Sequence, residues 1–250
     1  MSRATYLDKV FAALEFLDCD SAQTNLLVIV DGNDNLFLDA RNRTELSKFA
    51  SRLCVKYSSK LEKSENNIFL RRERISDIHN QLKQYIGDCV FIMGIEDDTV
   101  FPDFTMKLFL QDYMLNPHMG FVEGIELGRW SYPYIGAWRA DDVYEPKKIQ
   151  SIMPEDDSEP LSQIDAGGLY CFMTRRETYM GHTFETFDNN SFGPDVNFGM
   201  NLRRKGYSNF IDWHINCTHM SESGNIVLGS DVPRRAIFTK GSEYWKLHRQ

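Results

Sequence analysis

An α/β fold, with a mainly parallel, Rossmann-like central sheet flanked by helices, is what this sequence predicts. Three observations predict it. Short apolar, β-branched runs alternate with amphipathic stretches through the first half, in the order β-α-β-α-β-α-β. The central run, Cys89 to Ile95, ends in three adjacent carboxylates, Glu96, Asp97 and Asp98. That sets an acidic turn at the carboxyl end of a strand, where open α/β sheets bind ligands. Finally, 250 residues of which 42% are hydrophobic suffice to cover such a sheet on both faces in one large domain.

The elements follow in order. Tyr6, Leu7, Val10, Phe11, Leu14 and Leu17 have helical spacing over residues 4–18. Leu26 to Val30 is a buried strand that runs into the turn sequence Asp31-Gly32-Asn33-Asp34. Thr44 suits an N-cap for a helix to about Tyr57. Ile68 to Leu70 reads as a short strand, and Ile75 to Ile86 as an amphipathic helix ended by Gly87. After the central strand and its acidic turn, Phe104 to Met114 is amphipathic and Met119 to Glu123 is another short strand. The second half is less regular. Residues 130–138 are aromatic (Trp130, Tyr132, Tyr134, Trp138), and 154–160 form an acidic exposed loop. Ile164 to Met173 is a loop entering a strand through Gly167-Gly168. Pro194 fits the first turn of a helix to about Lys205 that Gly206 closes. Asn209 to Ile215 is the last strand, leading to Cys217-Thr218-His219.

Composition narrows the function classes. The net charge of −8 excludes a general nucleic-acid binder, although basic clusters occur at Arg71–Arg74, at Arg203-Arg204-Lys205 and in the tail (Arg234, Arg235, Lys240, Lys246, Arg249). Five scattered cysteines without CxxC spacing point to a reducing compartment and argue against a zinc site. No apolar run approaches the ~18 residues of a membrane span and there is no signal peptide, so a soluble, cytoplasmic protein is expected. Three carboxylates at one strand end repel one another. A hard divalent cation, Mn²⁺ or Mg²⁺, offsets that repulsion and shares its oxygen ligands with substrate phosphates. Glu96-Asp97-Asp98 is therefore read as a metal–diphosphate site; its plain alternative is a solvated acidic turn.

The order of these motifs resembles the GT-A fold glycosyltransferases, in particular the large inverting family that uses nucleotide-diphosphate sugars. The resemblance covers most of residues 3–219. It rests on Arg3-Ala4-Thr5-Tyr6-Leu7 with its helix, on Val28-Ile29-Val30-Asp31-Gly32, and on Glu96-Asp97-Asp98 as the DxD element. Asp165-Ala166-Gly167-Gly168 is its fourth motif, and Gly193-Pro194-Asp195 followed by Arg203, Gly206-Tyr207 and His219 its fifth. The family's first strand would precede Arg3, where only two residues stand. That strand is expected from elsewhere, or the chain is a domain of a longer, phage-like protein whose other domains complete the site. The acceptor motif has Pro194 where the family usually has Glu.

The resemblance implies a single glycosyltransferase domain over 1–250, with a nucleotide-sugar half at about 1–125 and an acceptor half with the tail at about 126–250. It implies transfer from a nucleotide-diphosphate sugar, with a UDP-sugar favoured. Asp98 is the metal ligand, with His219 as a second ligand, and Glu96 or Asp97 contacts the ribose hydroxyls or, through water, the metal. Asp31 accepts from the base edge, with a turn-forming Asp as the alternative. Arg74, or Arg71, faces the diphosphate, against an exposed basic face. Gly167 and Gly168 let backbone approach the donor sugar, against an ordinary turn. Asp195 is the general base for an inverting displacement, against a carboxylate favourable to a helix start. His214 is read as structural, and the aromatics of 130–138 form a stacking wall or core. Other readings stay open: a retaining transferase, a nucleotidyltransferase on a related fold, and a non-catalytic sugar- or nucleotide-binding module. The acceptor is a saccharide, a protein, a lipid-linked group or a modified DNA base.

Overall fold

The computed structural model describes residues 4–57, 68–127, 135–146, 148–152, 160–185 and 192–220. Arg3, Trp130, Tyr132, Tyr134, the acidic residues 155–159 and the basic tail lie outside them, as does the side chain of His219.

Helix α1 (Ala4–Phe16) buries Leu7, Val10 and Leu14, the stripe expected from its spacing. Strand β1 (Asn25–Val30) leads to Asn33, whose side chain accepts from the Leu36 N–H at 2.9 Å and caps α2 (Asp34–Leu46). The chain returns as β2 (Ser51–Lys56), parallel to β1 from Asn25↔Ser51 to Val30↔Lys56. Thr44 is thus no N-cap: it lies inside α2, buried, with its hydroxyl donating to the Ala40 carbonyl at 2.8 Å. The residues read as its helix are instead β2, because pairing with β1 outweighs local preference. Ile68 to Leu70 is likewise no strand; it is the first turn of α3 (Ile68–Leu82). A three-residue apolar run does not distinguish the two states.

Strand β3 (Phe91–Ile95) carries the acidic turn, followed by β4 (Thr99–Val100), α4 (Thr105–Leu115) and β5 (Met119–Leu127). Beyond it come β6 (Ala137–Ala140), β7 (Ile149–Ser151), β8 (Leu161–Ile164), β9 (Ala166–Gly167) and β10 (Cys171–Arg175). Helices α5 (Arg176–Met180) and α6 (Pro194–Arg204) precede β11 (Ser208–His219). Pro194 opens α6, and Gly206 follows it at φ +88°, a conformation suited to glycine.

The strands form three sheets: β1-β2, the six-stranded order β3-β10-β5-β11-β4 with β8 also on β11, and β7-β6-β9. The central sheet is mixed, not mainly parallel. Only β5–β11 is a parallel pair in it; β10 runs antiparallel to both β3 and β5, and β4 and β8 run antiparallel to β11. The antiparallel strands β8 and β10 come from the second half, after the alternating stretch, and run back against β11 and against β3 and β5. Strand β5 is covered on both faces. Val122 joins the cluster with Val10, Leu14 and Phe109, while Phe121 and Ile125 join the one with Phe198 and Leu202. All five cysteines are free thiols, and no helix among the described residues is long and apolar enough to cross a membrane.

Behind the sheet, Asp112 of α4 shares a hydrogen bond with Asp212 of β11. Asp212 Oδ1 also accepts from the His214 backbone N–H at 2.8 Å and lies 2.8 Å from His214 Nδ1, so His214 is structural. Burial, then the neighbouring Asp212 charge, pushes the Asp112 carboxyl up to about 9. The folded state therefore holds this proton more tightly than the unfolded chain. The stability it contributes is complete below about pH 4 and declines as pH rises toward 9. Asp112→Asn keeps a donor toward Asp212 and has no proton to lose. Thermal melts should show its advantage over the parent growing from pH 5 to pH 8.5; an advantage independent of pH would refute the shared proton.

Candidate functional site

A groove of about 2850 Å³ opens beside the ends of β1 and β3. Asp31, Arg74, Glu96, Asp97, Asp98, Gly168 and Asp195 all line it. Five elements distant in sequence thus line one groove: the turn after β1, α3, the turn after β3, the segment between β9 and β10, and the first turn of α6.

The acidic turn is held by its backbone. The Glu96 N–H donates to the Tyr170 carbonyl at 2.9 Å, extending the β3–β10 ladder by one residue. The Thr99 N–H donates to the Glu96 carbonyl at 3.2 Å and closes the turn, while the Asp98 carbonyl accepts from the Met220 N–H at 2.8 Å. Asp97 is exposed, and Glu96 and Asp98 are half-buried. His219 is paired through its backbone with Thr99, beside Asp98. The donor set of the turn, carboxylate oxygens alone, suits a hard cation that completes its shell with water and phosphate. Among the described residues, no group of three or more His, Cys, Asp or Glu side chains is placed to hold a metal ion.

Asp31 and Arg74 meet each other. The guanidinium donates from Nε and Nη2 to the two oxygens of Asp31, a bidentate pair, and lies 4.9 Å from the centre of the Tyr57 ring. The Asp31 hydrogen bond holds the Arg74 pKa above its usual value. Asp31 thus anchors α3 to the end of β1.

Gly167 and Gly168 differ in setting. Gly168 lines the groove, whereas Gly167 is buried against Glu123: a Cβ there would stand 2.1 Å from Glu123 Oε1. Glu123 is fully buried in β5, its Oε2 accepting from the Leu169 N–H at 3.3 Å and its Oε1 without a partner. Desolvation raises its pKa well above the carboxylate range, opposed by the Leu169 bond and reinforced by the charges of Glu126 and Asp195. Leu169 itself has φ +55°, a strained position for leucine held by this packing. Asp195 folds its carboxylate back over Gly193, where a Cβ would stand 2.2 Å from Oδ1.

Sequence reasoning missed Glu123 and Glu126. Their signal was two carboxylates inside an otherwise apolar stretch, Met119 to Leu127. Asp165 and Arg203 of the quoted motifs bind each other at 2.8 Å, and Asp165 also accepts from the Ala140 N–H at 2.9 Å, so both hold α6 to the sheet. Arg204 donates to the Val143 carbonyl at 2.6 Å and to Asn201 Oδ1 at 2.9 Å. Trp138 lines the groove and packs with Val196 and Met200.

No protein family model and no curated protein matches the chain. Among solved structures, GalNAc-T7 with UDP, GalNAc and Mn²⁺ is similar over 79% of this chain and 38% of its own, with TM-score 0.53 and 10% identity. The chain thus spans well under half the length of that protein. A nucleoside-diphosphate-sugar pyrophosphorylase from Vibrio cholerae RC9 is similar over 100% of this chain and 88% of its own, at TM-score 0.48 and 15% identity. For A197 from STIV the shares are 82% and 93%, at TM-score 0.42 and 14% identity. The fold is GT-A-like, with a mixed central sheet between helices.

Gly167→Ala forces its methyl into the buried Glu123 carboxyl and should cost about 1–3 kcal/mol in urea unfolding. In a Glu123→Ala background, where that space is open, the same change should cost much less. Equal costs in both backgrounds would mean that Glu123 and Gly167 do not press on each other.

Proposed function

We propose that this chain is a metal-dependent glycosyltransferase that moves a sugar from a nucleotide-diphosphate sugar, with a UDP-sugar favoured, to an acceptor hydroxyl with inversion. The observation that carries the reading is the shared groove of Glu96–Asp98 and Asp195. A carboxylate turn suited to a cation–diphosphate and a carboxylate suited to a base face one space from separate elements. The GT-A-like fold supports it, since GalNAc-T7, of similar fold, was crystallised with UDP, GalNAc and Mn²⁺. In this reading, residues 1–125 form the nucleotide-sugar half of a single domain, and the acceptor half follows.

Asp98, with Glu96 or Asp97 and with His219 as nitrogen ligand, would hold Mn²⁺ or Mg²⁺ against the donor's diphosphate. That ion supplies Lewis-acid neutralisation of the leaving diphosphate. Asp31 orients the nucleotide base while pinning Arg74, whose charge stays near the phosphates. Gly168 allows close approach of backbone to the sugar. Asp195 takes the proton of the acceptor hydroxyl as its oxygen attacks the anomeric carbon and the bond to the diphosphate oxygen breaks. Arg203 and Arg204 spend donors inside the fold, which disfavours a DNA acceptor among those considered.

UDP release from a panel of UDP-sugars with Mn²⁺ tests this. Asp98→Ala or chelation should reduce release to background. Asp195→Asn should leave donor binding intact and lower transfer by about 10²–10⁴-fold. Full transfer by Asp195→Asn would remove it as the base; normal turnover in Asp98→Ala would remove the metal assignment.

A further inference from the structure

The small sheet β7-β6-β9 turns one face toward α6 and the groove. Directly opposed residues of an antiparallel pair point to the same face. Trp138, its partners Ser151 and Ala166, and the neighbouring pair Ala140 and Ile149 therefore share that face. Val196 and Met200 of α6 cover part of it, packing with Trp138 and Ile149. The rest opens on the groove, where Phe192 joins Trp138, Ile149 and Ser151, all four half-buried. Small neighbours on its own sheet, Ala140, Ser151 and Ala166, leave room for a flat ring to approach the indole. The backbone fixes the position of that indole. The Trp138 carbonyl accepts from the Asp165 N–H, and the Ala137 carbonyl from the Ile152 N–H, both at 2.9 Å.

Carboxyl groups border this wall. Asp195 directly precedes Val196 and lines the same groove. Glu126 of β5 is only 1% exposed, yet it also reaches the groove. Both raise the pKa of Glu123, so both stand close to that one buried carboxyl. Cations of this half are turned to other work. Arg139 donates to the Gln163 carbonyl at 3.1 Å, Arg203 to Asp165 at 2.8 Å and Arg204 to the Val143 carbonyl at 2.6 Å. The described arginines and lysine that line the groove, Arg71, Arg72, Arg74 and Lys107, belong to α3 and α4.

An aromatic wall edged by carboxylates suits one ligand chemistry. A pyranose ring offers a C–H face to an indole and hydroxyl donors to carboxylate oxygens. An acceptor bearing phosphate or carboxylate would enter beside Asp195 and Glu126, where like charges meet at a cost. We infer that the acceptor is an uncharged saccharide whose ring lies on Trp138 and whose reacting hydroxyl meets Asp195. The inference rests on the glycosyltransferase reading and adds to it the class of acceptor and a residue that selects it.

The test gives the full chain UDP-glucose, UDP-galactose or UDP-GlcNAc with Mn²⁺ and follows sugar transfer by mass spectrometry. Acceptors are neutral methyl glycosides and disaccharides, glucuronate and glucose phosphate, a peptide mixture, and an oligonucleotide containing hydroxymethylcytosine. Thermal shift with UDP and Mn²⁺ is measured in parallel. Product should form on neutral glycosides. Trp138→Leu, which keeps an apolar side chain but removes the ring, should lower that transfer about tenfold or more with the UDP shift retained. Trp138→Phe should restore most of it. A UDP shift in the parent without transfer to any neutral glycoside overturns the inference, as does preferred transfer to the charged sugars, the peptides or the oligonucleotide. Undiminished transfer by Trp138→Leu removes the indole as the acceptor platform. No UDP shift in the parent would instead remove the glycosyltransferase reading, and the inference with it.

Discussion

The ladder that seats β10 between β3 and β5 is the constraint on which the groove depends. Its register, Cys171↔Ile95 through Arg175↔Phe91, sets the acidic turn beside Tyr170 and the Gly168 segment. Gly94 makes that register possible: a Cβ there would stand 2.2 Å from the Phe172 ring. Tyr170 then ties the segment to β5 and its neighbour, its hydroxyl donating to or sharing contacts with the Gly124 and Ile135 carbonyls. A slip of one residue would move the turn by about 3.3 Å and reverse the face of every side chain in the strand. The carboxylates of residues 96–98 would then no longer share a space with Asp195.

Much of this was legible in the sequence where local chemistry is decisive. The apolar runs of β1 and β3, the periodic stripe of α1 and the Pro194 start of α6 needed no tertiary information. The acidic turn was legible because three carboxylates interrupt the end of an apolar strand. What failed depended on partners distant in sequence. Residues 51–56 are a strand because β1 lies beside them, and Thr44 is interior to a helix because Asn33 had already capped it. Strand direction was misjudged because alternation in the first half says nothing of how β8 and β10 return. Asp31 and Arg74 were each assigned to a ligand, and their pairing follows from α3 lying across the end of β1, which no spacing in the sequence reveals.

The protein keeps several carboxyl groups where water does not reach them. Glu123 supports the backbone beside Gly168, and Asp112 with Asp212 joins α4 to β11. Unpaired burial of a charge is costly, so Glu123 and Asp112 hold protons. The groove carboxylates differ in being partly open to solvent, as Glu96, Asp98 and Asp195 are half-buried and Asp97 exposed. The chain thus holds one set of carboxyl groups inside the fold and another at the groove.

The most direct measurement of the central claim is the thermal shift of the parent chain and of Asp98→Ala with UDP, each with and without Mn²⁺. Binding to the folded state alone stabilises it by about 2.7 kcal/mol at a hundredfold excess over Kd. The account predicts a shift in the parent that requires UDP and Mn²⁺ together and is lost in Asp98→Ala. A UDP shift that ignores Mn²⁺ and survives Asp98→Ala would contradict it, because the acidic turn would then not be where cation and diphosphate meet.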